Sequence, residues 1–182
     1  EGKGKGDALM AGFQAATGDI IVTLDADGSL RPQEIPLFVG ALLSGAHFVK
    51  GSRALAGGGS DDLTHLRSAG NRGLGMLVNV LFGTRFTDLC YGYNAFWRAC
   101  LEHIDVRCDG FEIETLMIVQ AAKANLRIAE VPSFEKARVH GESNLRTFRD
   151  GFRVLRTIVT QRRTPPVHAP TLESLEHAIQ SA

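Results

Sequence analysis

Two aspartates, Asp25 and Asp27, are the residues of this sequence whose type and spacing best suit chemistry. They follow Asp19–Leu24, an apolar and largely β-branched run that predicts a buried strand. Two such close carboxylates cannot both ionise cheaply without a cation, and a hard divalent ion such as Mg²⁺ or Mn²⁺ resolves the repulsion. The same residues also fit a simple turn, with Asp25 as a cap and Gly28 left-handed. Their position after a buried strand favours the metal site.

Several lysine and arginine residues lie near the ends of the predicted strands and helices. Lys5 lies among glycines directly before a helix, where backbone amides favour an anion. Arg53 ends a predicted strand, Arg67 lies across a glycine-rich loop from it, and Arg138 sits in a further loop. Arginines make up 15 of the 20 cationic side chains, and their planar guanidinium groups suit bidentate capture of phosphate. Surface salt bridges are the alternative for any single arginine.

The predicted elements alternate between strand and helix. Strands are predicted over 19–24, 46–51, 91–97 and 127–131, and helices over 8–16, 32–44, 63–82, 111–125 and 145–162. This alternation predicts an α/β fold whose sheet is mostly parallel and flanked by helices. Ligands bind beyond the carboxyl ends of such strands, where Asp25, Asp27 and Arg53 fall. The glycine-rich composition of residues 54–62 predicts a mobile loop. We expect residues 1–163 to form one domain and residues 164–182 to form a flexible tail.

Composition bears on the partners and the location expected for this protein. The formal net charge is zero, which does not favour a nucleic acid partner. No apolar run reaches the ~18 residues of a membrane span. Cys90, Cys100 and Cys108 lack metal-type spacing and are interpreted as reduced thiols of a cytoplasmic protein. Glu112 and Glu114 suit the first turn of a helix, and the residues leave open whether either faces a cleft.

Taken together, several segments resemble family 2 glycosyltransferases, in particular the branch of dolichyl-phosphate mannose synthase and polyprenyl-phosphate glycosyltransferases. The matching segments are GKGDAL (4–9), GDIIVTLDADGS (18–29), GSR (51–53), Arg67 with Asn71, TDLCYGYNAF (87–96), GFEIE (110–114), EVPSF (130–134) and RVHGES (138–143). They occur in the family order and cover roughly residues 2–160.

The resemblance implies a GT-A fold and an inverting, metal-dependent transfer of a sugar from a GDP- or UDP-sugar to a phosphorylated lipid such as polyprenyl phosphate. It implies a cytoplasmic protein, with peripheral contact at the inner face of the membrane. The roles it implies fall into three groups. Asp25, Asp27 and Ser29 would hold Mg²⁺ or Mn²⁺; Lys5, Arg138 and Ser143 would contact the donor, with Arg138 also catalytic beside the aspartates; Arg53, Arg67 and Asn71 would bind the acceptor phosphate.

The sequence also departs from the family pattern. Ser29 stands where mannose-transferring members often carry Gln, and Asn144 stands where many carry Lys. The chain opens at Glu1 with no methionine, and we expect that the family's first strands, which hold the base and ribose, are missing. A fragment that keeps the metal site without activity is therefore an alternative.

A second alternative is a haloacid-dehalogenase-type phosphatase, in which Asp25 is a nucleophile and Asp27 a general acid. That family also needs a lysine and a late acidic pair. Lys123 lies on a predicted helix, and the pair Asp61-Asp62 comes early in a glycine-rich loop. The sugar, the base of the nucleotide, the final acceptor and the oligomeric state are left open by the sequence.

Overall fold

The computed structural model describes residues 4–108, 110–139, 147–167 and 171–181. Within these ranges the strands are β1 Ile20–Thr23, β2 Phe48–Ser52, β3 Gly59–Ser60, β4 Asn94–Trp97, β5 Ile128–Pro132 and β6 Phe134–Glu135. The α-helices are α1 Lys5–Ala15, α2 Ile35–Leu43, α3 His65–Phe82, α4 Ile113–Lys123, α5 Thr147–Arg163 and α6 Leu172–Gln180. Short 3₁₀ helices cover Pro32–Glu34 and Arg98–Glu102. The four predicted strands and five predicted helices are confirmed, with bounds that differ by a few residues.

A four-stranded sheet in the order β1-β4-β2-β5 forms the centre of the fold. Strands β2 and β5 are parallel, whereas β4 lies antiparallel to both of its neighbours. The sheet is therefore mixed, with three strands in one direction and β4 reversed between them. The cause is the segment before β4, which returns to the carboxyl edge, where Thr87 Oγ1 lies 2.6 Å from Ser52 Oγ.

Helices and aromatic contacts cover the sheet. Helix α2 packs on β2, β4 and β5. Its Phe38 ring stacks on Tyr93 with centroids 4.2 Å apart. The Phe96 ring of β4 stacks on Phe48 and meets Phe13 of α1 edge to face at 5.6 Å. Such interlocked rings bury large apolar areas, so they fix the sheet that carries the site.

Helices α3, α4 and α5 pack on one another. Every residue of α4 from Ile113 to Ala121 is buried, as expected for a helix enclosed on all sides. Helix α3 is capped by Thr64, whose hydroxyl accepts from the Arg67 amide, and it ends at Gly83 with a positive φ of 68°. Among the described residues, no helix is both long and apolar enough to cross a membrane.

Two segments that the sequence predicts to be mobile contain regular secondary structure. Within the predicted tail, Thr171 caps α6 and Leu175 is buried against the core. Helix α6 forms there because Leu175 finds an apolar contact and Glu176 pairs with Arg127 at 2.5 Å. In the glycine-rich loop, β3 pairs with β6. A Cβ at Gly58 would lie 2.5 Å from the Ser52 carbonyl oxygen, so this glycine permits close backbone packing.

Candidate active site

One edge of the sheet collects the predicted site residues. Asp25 lies two residues beyond β1, and Arg53 follows β2 directly. Because β4 is reversed, the segment before it, including Tyr91 and Gly92, lies at the same edge. The prediction that Asp25 and Arg53 meet at the carboxyl edge is confirmed, since both line one cavity.

Lys5 stands between two carboxylates at this edge. Its Nζ lies 2.6 Å from Asp25 Oδ1 and also donates to Glu114 Oε1. Burial raises the pKa of Asp25, and the nearby Glu114 and Asp27 add to this, together outweighing Lys5. Burial lowers the pKa of Lys5, but its two acidic partners outweigh burial and raise it above its ordinary value. One ammonium thus serves two carboxylates, of which Glu114 is buried and Asp25 is partly exposed.

Gly92 makes room for this cluster. A Cβ at Gly92 would lie 2.7 Å from Glu114 Oε1 and 3.0 Å from both Asp25 Oδ2 and Lys5 Nζ. Glycine therefore allows the backbone before β4 to approach the charged groups closely.

Asp27 occupies a tight turn beside Arg138. Its Oδ1 accepts from the Ser29 amide at 3.0 Å and the Ser29 hydroxyl at 2.6 Å, while Gly28 takes a φ of 78°. The turn interpretation is thus confirmed at Asp27 and Gly28. Arg138 Nη1 lies 3.3 Å from Asp27 Oδ2, and its Nε donates to Asp62 at 3.2 Å.

The contacts of Asp27 lower its pKa. Burial opposes ionisation, but the two bonds from Ser29 and the Arg138 charge outweigh it and hold the pKa of Asp27 below its usual range. The Ser29 hydroxyl, a predicted metal ligand, is buried and bonded to Asp27. Ser29 therefore orients the Asp27 carboxylate here, and a direct bond from Ser29 to a metal stays a prediction.

Arg53 is held tightly by protein groups. Its Nε and Nη2 donate to Asp88 at 2.7 and 3.0 Å, and its Nη1 donates to Glu135 at 3.0 Å. The guanidinium also lies 4.6 Å from the Tyr91 ring centre. Asn71 donates to Asp88 at 2.8 Å and accepts from the backbone amide of Cys90, among others. The predicted acceptor residues Arg53 and Asn71 thus organise the loop before β4.

The cavity continues from the charged cluster toward helix α3. Arg67 and Leu66 of α3 line it, together with Phe111 and with Val154 of α5. A guanidinium group and an apolar wall therefore share one cavity with Asp25 and Arg138. Ser143, the remaining predicted donor residue, lies outside the described residues.

Comparison with protein families decides the classification. The model described as glycosyl transferase family 2 matches residues 1–105, more than half of the chain. The chain belongs to glycosyl transferase family 2. The matched range contains Asp25 and Asp27 and ends before Glu114 and Arg138. In the fold, Glu114 and Arg138 lie beside Lys5 and Asp27.

Relatives and a solved structure agree with this membership. The low-salt glycan biosynthesis hexosyltransferase Agl6 of Haloferax volcanii is 35% identical over 160 residues, covering 86% of this chain and 38% of the relative. The undecaprenyl-phosphate mannosyltransferase of Micrococcus luteus is 30% identical over 148 residues, covering 78% of this chain and 60% of the relative. The family 2 chain thus spans between 38% and 60% of the length of these relatives.

One solved structure that the chain resembles is glucosyl-3-phosphoglycerate synthase of Mycobacterium tuberculosis, crystallised with Mn²⁺, UDP-glucose and glycerol 3-phosphate. It has a TM-score of 0.65 and 25% identity, and the match covers 89% of this chain and 56% of the synthase. The predicted GT-A fold is confirmed.

Sequence reasoning missed several residues of the charged network. Asp88, Glu135 and Asp62 each pair with an arginine of the site, and Glu114 pairs with Lys5. Glu114 carried a signal, since an acid in a helix made almost wholly of apolar residues needs a buried partner. Asp62 and Asp88 lie in loops and Glu135 lies in the two-residue strand β6, where an acidic residue gives no such signal.

Proposed function

We propose that this family 2 protein transfers a sugar from a nucleotide-sugar donor to a phosphorylated lipid, such as polyprenyl phosphate, at the cytoplasmic face of the membrane. One observation carries the proposal. A single cavity joins Asp25, Lys5 and Arg138 to Arg67 and to the apolar side chains of α3 and α5. Charged groups at one end suit a diphosphate, and a cation beside apolar walls suits a lipid phosphate.

The carboxylates of Asp25 and Asp27 fit a hard divalent cation, because carboxylate oxygens are the ligands that Mg²⁺ and Mn²⁺ prefer. Asp25 and Glu114 share the Lys5 ammonium, so two neighbouring carboxylates would favour a further cation at Asp25. Among the described residues, no three His, Cys, Asp or Glu side chains form a metal cage, so donor oxygens and water would supply further ligands. When bound, the metal would offset charge on the leaving diphosphate.

The protein's own residues have distinct roles in the proposed reaction. An oxygen of the acceptor phosphate attacks the anomeric carbon, the bond to the diphosphate breaks, and the nucleoside diphosphate leaves with the electron pair. Arg138, held beside Asp27, would stabilise the negative charge that develops on the diphosphate. Lys5 would contact the donor from its position between Asp25 and Glu114. A phosphate nucleophile is already anionic and needs no strong base.

The acceptor phosphate is assigned chiefly to Arg67. All three guanidinium nitrogens of Arg53 donate to protein acceptors, so Arg53 shapes the acceptor wall through Asp88. A lipid phosphate is favoured because relatives are named for transfer to undecaprenyl or dolichol phosphate. Mn²⁺ or Mg²⁺ accompanies UDP in structures of the mycobacterial synthase, which supports a divalent ion for the family.

The test compares the chain with its Asp27→Asn and Arg67→Ala variants. Each is given GDP- and UDP-sugars, Mn²⁺ or Mg²⁺, and polyprenyl phosphate, and lipid-linked sugar is counted. Transfer should require metal and fall by about 10²-fold or more in Asp27→Asn, because a preorganised charged group is lost. Arg67→Ala should raise KM for the lipid phosphate more than for the donor.

Each contrary result has a definite meaning. Retained transfer in Asp27→Asn refutes the site assignment, and the reverse ordering of KM effects refutes the acceptor role of Arg67. Metal and donor binding without transfer to any lipid phosphate would overturn the acceptor class. Metal binding without donor binding or transfer would favour the fragment that retains only its metal site.

A further inference from the structure

Helix α5 carries an exposed apolar stripe. Phe148 and Phe152 are 82% and 67% exposed, and Leu155 and Val159 are exposed as well. Their spacing of four, three and four residues places them on one face of the helix. The buried side chains Val154 and Ile158 attach a different side of the helix to the core, so the stripe lies outside the packed face.

Arginines flank this stripe. Helix α5 carries Arg149, Arg153, Arg156, Arg162 and Arg163, all exposed, and its one acidic residue, Asp150, is buried. The whole chain has a formal net charge of zero, so this concentration of positive charge is local. A helix with an aromatic and aliphatic face beside an arginine-rich face is typical of segments that lie in a membrane interface.

The stripe also borders the active-site cavity. Gly151 and Val154 line the cavity, and they lie one helical turn or less from Phe148 and Leu155. Across the cavity, Leu66 of α3 is another exposed apolar side chain on the cavity wall. A surface that binds the stripe would therefore also face the entrance between α3 and α5.

We propose that the α5 stripe docks on the surface of an anionic phospholipid bilayer, with its apolar side chains in the interface and its arginines at the phosphate head groups. Charge complementarity selects this occupant. A second copy that paired through the same face would bring two arginine-rich helices together, and like charges in an interface oppose association. The proposal names the membrane partner of the proposed function, although docking itself needs neither sugar donor nor acceptor.

Vesicle sedimentation tests the proposal. The chain is mixed with vesicles of phosphatidylcholine alone or with phosphatidylglycerol, in the absence of nucleotide sugar and polyprenyl phosphate. The test variant is Phe148→Ser with Phe152→Ser. The matched control is Leu43→Ser, because Leu43 is 69% exposed but lies on α2. Circular dichroism confirms that each variant is folded.

The chain and the Leu43→Ser control should bind anionic vesicles, with weaker binding to neutral vesicles and at high salt. The double variant should bind at least tenfold more weakly, because two large apolar side chains no longer enter the interface. Equal binding by the double variant, or no binding of the chain to anionic vesicles, overturns the proposal. A concentration-dependent dimer that the double substitution disperses also overturns it, in favour of a second copy.

The outcome is separable from that of the proposed function. Vesicle binding without sugar transfer would leave the docking surface standing and refute the transferase proposal. Transfer to polyprenyl phosphate without vesicle binding would support the transferase proposal and refute the docking surface.

Discussion

Substitution of Asp88 by alanine tests how the wall of the proposed acceptor cavity is built. Arg53 is 8% exposed and Asp88 is 2% exposed, and two hydrogen bonds of 2.7 and 3.0 Å join them. Removing one partner of a buried pair leaves an uncompensated charge and costs about 3–5 kcal/mol. Glu135 remains bonded to Arg53 at 3.0 Å, so the cost should lie near the lower limit, about 3 kcal/mol.

Chemical and thermal unfolding measure this effect. For a chain of this size, a loss of about 3 kcal/mol lowers Tm by roughly 6–12 °C. The matched control is Asp19→Ala, which removes a half-exposed ion pair with Arg98 at 3.8 Å. An exposed pair contributes about 1 kcal/mol or less, so the control should unfold close to the unaltered chain.

The effect should also depend on pH. Burial disfavours the charged form of Asp88, but the hydrogen bonds and charge of Arg53 outweigh burial and lower the pKa of Asp88. The unfolded chain then binds the proton more tightly, so this stabilisation is present above the ordinary carboxyl pKa and is lost as the pH falls through the lowered value. The difference between Asp88→Ala and the unaltered chain should be complete at pH 7 and shrink below about pH 4.

A small effect would refute this reasoning. If Asp88→Ala unfolds within about 1 kcal/mol of the unaltered chain, the pair is screened like a surface ion pair. Arg53 would then be available to a ligand, and the direct acceptor role predicted from the sequence would be the better account.

Two further predictions concern packing around the site and at the end of the chain. Gly92→Ala should keep the fold by circular dichroism but lower sugar transfer by roughly 10²-fold, because its Cβ would meet Glu114 Oε1 at 2.7 Å and displace the cluster; transfer at the unaltered rate would contradict this. Leu175→Ala should lower the free energy of unfolding by about 2–5 kcal/mol in urea, as for other buried leucines. A change below about 0.5 kcal/mol, the range of surface substitutions, would instead support the loosely held tail.

Much of the fold could be predicted from the sequence because its strands are short apolar runs. Strands β1, β2 and β5 lie where their β-branched or apolar residues indicated, and the aspartates follow β1 as expected. The reversed direction of β4 could not be predicted, because it depends on the path of the chain between Gly83 and Gly92. Alternation of strand and helix is identical for both directions of that strand.

The roles of individual charged residues were harder to predict. The sequence gives no sign that Arg53 and Asp88, 35 positions apart, form a buried pair. Glycines 57–59 suggested mobility, whereas at Gly58 the missing side chain allows two backbone segments to touch. In both cases the structural role of a residue depends on a partner that is distant in sequence.

The structure also shows which carboxylates surround the proposed metal position. The sequence alone predicts a divalent ion between Asp25 and Asp27, whose repulsion it would relieve. In the fold, Arg138 lies beside both Asp27 and Asp62, and the hydrogen bonds from Ser29 together with the Arg138 charge lower the pKa of Asp27. Asp25 instead shares Lys5 with Glu114, and its pKa is raised mainly by burial. The metal proposed at Asp25 would therefore lie beside a second carboxylate, Glu114, whose role the sequence left open.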